Sequence, residues 1–269
     1  MIEDAPEVRT LCELVRYRTE LVKDLTQIEN RIHLICDKYE FPKYGYTDTD
    51  LFGKGGLHWL EGIVLSLDPG DQYIMRSELD RVYSYNTLIE AVSLKIVQQA
   101  VKTEPLNSAC STCEDVLSED VKTLLTLIGV DYFTALLFLC EIGDINRFQS
   151  ASKLTSWLGL IPHQSGDALH HGKSTKKGPP LVRWALIEAA HAAVRFDPHW
   201  EAQFNRISAR RGKQRAYVAV ARELAVTMYY MLKNNEPYRF GREKIYTKKL
   251  KKLNRLLKRA QPDQGEAPV

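Results

Sequence analysis

The chain has 269 residues, 44% hydrophobic and 26% charged, which supplies material for a real core and excludes a disordered or fibrous chain. Its formal net charge of +3 hides a segregation: 22 Lys and Arg face seven Asp and Glu between His163 and Arg259, while the rest carries 15 basic and 27 acidic residues. Such a split points to a polyanion, nucleic acid first, as the partner of the basic segment, with mutual neutralisation of the two halves as the alternative.

No signal peptide opens the chain, and the cysteines at 12, 36, 110, 113 and 140 are odd in number and scattered, so a reducing cytoplasm is expected. The run from Thr123 to Cys140 is apolar except for Asp131 and is broken by Gly129. A mid-membrane charge costs about 2.5–3.5 kcal/mol, so this run reads as protein core and no membrane partner is expected.

In chain order, Leu11, Leu14, Arg18, Leu21, Leu25, Ile28, Ile32 and Ile35 alternate spacings of three and four, the seam of a coiled coil that only Arg18 interrupts. A second helix repeats the period with Met75, Glu78, Val82, Tyr85, Ile89, Val92 and Ile96. Between them lie a turn-rich tip, "FPKYGYTDTDLFGKGG", and a short apolar helix at Leu57–Leu67. Two matched helices around a tip predict an antiparallel hairpin or a dimerisation stalk over 1–101. Residues 102–118 read as a linker, and the CxxC of Cys110 and Cys113 has no second pair to complete a zinc site.

From Glu119 the texture becomes that of short apolar helices. Two of them flank the turn at Gly129, a helix-hairpin-helix-like pattern whose amides bind phosphate in proteins that use it. Helices are predicted at Ser152–Leu158, Leu181–Val194 and Ala216–Lys233. Between the first two runs "HQSGDALHHGKSTKKGPP" (163–180), where glycines and prolines break helix and strand alike. Its histidines His163, His170 and His171 match no strong zinc spacing. Arg242 to Arg259 holds nine Lys or Arg and one Glu, a basic amphipathic helix with Ile245, Leu250, Leu253, Leu256 and Leu257 on its apolar side. No long segment alternates with period two, so the fold class is all-α: a coiled-coil helical hairpin, a compact helical domain over 119–240 and a basic helix and tail over 241–269.

Four blocks, "RYRTELVKDLTQIENRIH" (16–33), "LCEIGDINRFQSASKLTSWLGLIPHQSG" (139–166), "KKGPPLVRWALIEAA" (176–190) and "RRGKQRAYVAVARELAVTMYYMLKNNEPY" (210–238), resemble the DEDD/serine insertion-sequence transposases. These are the types numbered one-ten and eleven-eleven, and the likeness covers about residues 8 to 240. The resemblance implies a RuvC-like domain with four Mg2+-binding carboxylates, a coiled coil and a domain with a nucleophilic serine. It also implies assembly as a dimer or tetramer, and a non-coding RNA that pairs with the DNA.

The family serine stands just before a glycine after "GL-x-P", the place of Ser165 and Gly166 in "GLIPHQSG". Ser174 is the in-loop competitor and lacks that context. Carried onto this chain, Ser165 attacks a DNA phosphate. Gly166 allows close approach, and Lys173, Lys176, Lys177 and Arg183 hold neighbouring phosphates. Arg210, Arg211, Lys213 and Arg222 extend the DNA-binding set.

Two departures qualify the carry-over. The RuvC-like carboxylates have no counterpart, and Asp48, Asp50 and Glu141 do not replace them, so a truncated form inactive on its own is expected. The rival expectation is a non-catalytic dimeric scaffold that binds nucleic acid. At the hairpin the family tends to Pro-Gly-Ile-Gly, whereas this chain has Ile128, Gly129, Val130 and Asp131. Aspartate suits a left-handed turn less well than glycine, and its charge repels phosphate.

Overall fold

The computed structural model describes residues 6–41, 50–103, 118–164, 171–174 and 178–260. The expected all-α class holds. Among the described residues the helices are α1 (Pro6–Lys38), α2 (Lys54–Ile63), α3 (Pro69–Thr103), α4 (Glu119–Leu125), α5 (Tyr132–Ile142), α6 (Ala151–Trp157), α7 (Pro180–Phe196), α8 (Pro198–Arg211), α9 (Lys213–Asn234) and α10 (Glu243–Ala260). One small exception breaks the pattern. Strands β1 (Pro162–Gln164) and β2 (His171–Ser174) pair antiparallel inside the loop expected to hold neither helix nor strand.

Two compact units divide the chain, Tyr17–Ser93 and Met1–Arg16 with Leu94–Val269. In the first, α1 and α3 run antiparallel. Arg18 donates to the Ser93 hydroxyl at 2.7 Å, Arg31 pairs with Glu78 through two bonds of 3.0–3.1 Å, and Lys38 meets Asp71 at 2.6 Å. The residues that interrupt the two seams, Arg18 and Glu78, are thus those that bridge the helices. Glu78 is buried, and its pairing offsets the desolvation that a lone carboxylate would suffer. Leu57, Leu60 and Val64 cover the pair by joining a core with Leu25, Ile28, Ile32, Met75, Leu79 and Val82.

In the second unit α9 is central. Its buried residues Ala216, Val220, Ala221, Leu224, Ala225, Met228 and Leu232 recur at helical spacing, and it packs on α4, α6, α7 and α8. The buried face of α7 is built from Ala185, Ala189, Ala190 and Ala193. These small side chains let the turn between α4 and α5 approach very closely. Gly129 (φ +95°) lies so near that an added Cβ would be 2.3 Å from the Ala189 carbonyl oxygen. Leu127, Ile128 and Val130 of that turn are buried, and the Val130 amide donates back to Leu127 at 3.3 Å.

The left-handed demand expected at position 131 is absent. Asp131 is extended (φ −96°) and caps α5, its carboxylate accepting from the Thr134 amide at 2.8 Å. Ser118 and Ser150 cap α4 and α6 in the same way. On α1, Arg16 is hydrogen-bonded to Glu141 of α5. That pairing occupies one of the acids considered as a metal ligand. Asp50 accepts from the Phe52 amide, and Asp48 lies outside the described residues.

Candidate functional site: a hairpin root and a cationic corner

Helix α6 ends at Trp157, and buried Leu160 leads into β1. Pro162 pairs with Ser174 and Gln164 with His171, so the chain returns beside its own departure point. The root is fixed from both sides. Gly178 (φ +128°) presses against the exit of α6, where an added Cβ would meet the Trp157 carbonyl oxygen at 2.0 Å. Arg183 on α7 donates through Nη1 to the Leu158 carbonyl at 3.4 Å. A packed cation over two rings, Arg147 at 4.6 Å from the Phe148 centroid and 4.7 Å from that of Trp157, stiffens the α6 side.

Ser165, Gly166, Lys176, Lys177 and His170 lie outside the described residues. Lys173 and the competitor Ser174 fall in β2, Ser174 opposite Pro162. Arg183 is half-buried and already engaged with the root, so only part of its guanidinium remains for a phosphate. Arg222 is half-buried on α9, and its Nη1 bonds Glu223 at 3.2 Å.

Three of the predicted residues do come together. Arg210 and Arg211 close α8, Lys213 opens α9, and Gly212 (φ +82°) turns the chain between them. Arg206 and Arg215 join this corner, and all five cations are exposed. No carboxylate occurs between Glu201 and Glu223 to neutralise them. Sequence reading missed Arg206 and Arg215: Arg206 lies one turn before Arg210 on the same face of α8, whereas Arg215 joins the corner only because the chain turns at Gly212.

Helix α10 carries a further stripe, Lys244, Lys248, Lys251, Lys252, Arg255 and Lys258, exposed opposite buried Leu250 and Leu253. Lys249 is different. Its ammonium turns inward and donates to the Leu125 and Leu127 carbonyls at 2.6 and 2.7 Å, closing the end of α4. Burial draws its pKa down to about 8, opposed by the Asp131 carboxylate. At neutral pH it remains a cation.

The profile of the IS116/IS110/IS902 transposase family matches residues 121–205, a span that includes the hairpin and both helices of its root. The transposase of insertion sequence element IS1111A from Coxiella burnetii is 32% identical over 245 residues, 85% of this chain and 60% of that protein. The family match and this relative together support an IS110-family transposase. It is also 31% identical over 132 residues to the pilin gene-inverting protein of Moraxella bovis, covering 47% of this chain and 41% of that relative. The chain therefore spans about 60% of the length of the IS1111A transposase.

Among the described residues, no three His, Cys, Asp or Glu side chains converge to hold a metal ion. The described residues therefore offer no ligand set that fits the Mg2+ the resemblance implies. No described helix is long and apolar enough to cross a membrane.

Proposed function

We propose that this chain carries the nucleophile and the DNA-gripping surface of a serine-type transposase. The observation that supports the reading is the family match over 121–205, a span that contains "GLIPHQSG", the motif in which the resemblance implies Ser165 as the nucleophile. Ser165 Oγ attacks a backbone phosphorus, forming an Oγ–P ester as the P–O3′ bond breaks. The serine proton is lost, and the departing oxygen becomes a free 3′-OH. One phosphate ester replaces another, so bond energy is conserved for rejoining.

A serine hydroxyl needs help to ionise. In this reading the help is electrostatic: Lys173, Lys176, Lys177 and Arg183 supply positive charge beside the loop, and Gly166 lets the backbone approach a phosphate. Arg210, Arg211, Lys213 and Arg222 hold flanking DNA. The α1–α3 pair is assigned as the coiled coil joining copies into a dimer or tetramer. A non-coding RNA is the further partner, and the cytoplasm the place of action.

The test mixes the purified chain with element-end DNA, guide RNA and Mg2+, followed by a denaturing gel. A protein–DNA adduct absent in Ser165→Ala is expected. No adduct, even with the remaining part of an IS1111A-type transposase supplied in trans, would leave the non-catalytic scaffold as the reading.

A further inference from the structure

The corner between α7 and α8 exposes rings that the fold does not need for its core. Phe196, the last residue of α7, is 54% exposed, and Phe240, in the segment after α9, is 52% exposed. Each carries a guanidinium over its face: Arg195 lies 5.3 Å from the Phe196 centroid, and Arg239 lies 5.8 Å from that of Phe240. Exposed His199, in the first turn of α8, stacks on Phe240 at 5.5 Å with planes 24° apart.

The rings stand on a rigid base. Asp197 caps α8 through the His199 amide at 2.9 Å and accepts the Tyr238 hydroxyl at 3.2 Å, which ties the 238–240 segment to the corner. Buried Trp200 stacks on Tyr238 at 6.4 Å beneath. Water-facing phenylalanine is unfavourable by itself, and two such rings at one fixed corner ask for a partner with flat faces and negative charge. The surrounding charges agree. Arg195 and Arg239 are exposed there and Arg242 is exposed two residues beyond Phe240; Asp197 is consumed in the base, and the exposed acids on these elements are Glu201, Glu236 and, eight residues before Phe196 on α7, Glu188.

We infer that this corner is a stacking platform for unpaired bases of single-stranded DNA, with the arginines taking adjacent phosphates. Every base has a π-face, and exposed aromatics beside cations are what sequence-tolerant binding of single strands requires. Duplex DNA offers its backbone and groove edges, not base faces, and so cannot use these rings. DNA is chosen over RNA because the relatives at hand are an insertion-sequence transposase and a gene-inverting protein, both named for rearranging DNA. The inference rests on the DNA-binding reading above and adds the strand form recognised.

Fluorescence anisotropy of the whole chain with four probes tests it: oligothymidylate, the same backbone made abasic, oligouridylate and a duplex of equal length. Oligothymidylate should bind at least tenfold tighter than the abasic strand. Phe196→Leu and Phe240→Leu, which keep apolar bulk without a ring face, should each remove about tenfold of that affinity, whereas Phe240→Tyr retains it. All three variants should hold the duplex as the parent does. Equal affinity for abasic and normal strands, unchanged affinity in the leucine variants, or tighter binding of oligouridylate than of oligothymidylate would each overturn the inference. The abasic comparison needs no variant, so a folding defect cannot obscure it. Duplex binding that persists while the bases add nothing removes this inference alone; loss of all binding removes the DNA reading with it.

Discussion

At the scale of single residues, two positions make demands that ordinary side chains cannot meet. Gly178 combines φ +128° with a carbonyl oxygen where a Cβ would sit. Alanine there should destabilise the protein by about 2–4 kcal/mol, combining backbone strain with displacement of the α6 exit. A thermal melt within about 0.5 kcal/mol of the parent would show that the hairpin root is not anchored as described. Glu29 on α1 is the second position. Burial, aided by the nearby Asp50 carboxylate, pushes its pKa up to about 7 from an ordinary value near 4.5. Between those pH values the folded chain holds a proton that the unfolded chain releases, so this group's contribution falls as pH rises from about 4.5 to 7. A displacement of that size corresponds to roughly 3 kcal/mol when unscreened. Solvent around a part-exposed carboxyl reduces it to about 1 kcal/mol. Glu29→Gln should therefore gain about 1 kcal/mol on the parent between pH 5 and pH 8, measured by urea melts at each pH. A parallel pH dependence in both proteins would contradict this.

Elements show which parts of the molecule could be read from sequence. The long helices and the apolar stripe of α10 were legible, because periodicity acts through near neighbours. The β1–β2 hairpin was not. Its strands are three and four residues long, hold no β-branched residue and carry Pro162 and Gly172, so neither period nor propensity announces them. Nor could composition tell Lys249 from its neighbours in "YTKKLKKLNR", since the distinction depends on α4 standing opposite. That difference is measurable. Lys249→Met leaves the Leu125 and Leu127 carbonyls without this donor and should destabilise the protein by about 1–3 kcal/mol. Lys248→Met, on an exposed position one residue earlier, should change stability by less than about 0.5 kcal/mol. Equal effects in calorimetry would mean that Lys249 is an ordinary surface cation.

Over the whole molecule, charge follows architecture. The unit Tyr17–Ser93 carries eight basic and 13 acidic residues, so it repels a polyanion, whereas the segment from His163 to Arg259 concentrates 22 cations. These are not equally free: the Lys249 ammonium is spent on the Leu125 and Leu127 carbonyls, while half-buried Arg222 and Arg183 share their guanidinium groups with Glu223 and the hairpin root and offer a phosphate only what remains. The five exposed cations around Gly212 and a few from the α10 stripe make about eight phosphate contacts a reasonable count. Counterion release then gives a slope of log K against log salt near −7 for duplex DNA. Replacing Arg210, Arg211 and Lys213 together by alanine removes three contacts and should flatten that slope by about 2.7, since each neutralised phosphate contributes about 0.9. Lys249→Met should leave it unchanged despite losing the same formal charge, because that ammonium never meets solvent-borne phosphate. Titrations at four or more salt concentrations separate the outcomes. A parent slope near zero would detach the basic segment from nucleic acid altogether. A slope that flattens equally in Lys249→Met would mean that net charge, and not the exposed corner, governs binding.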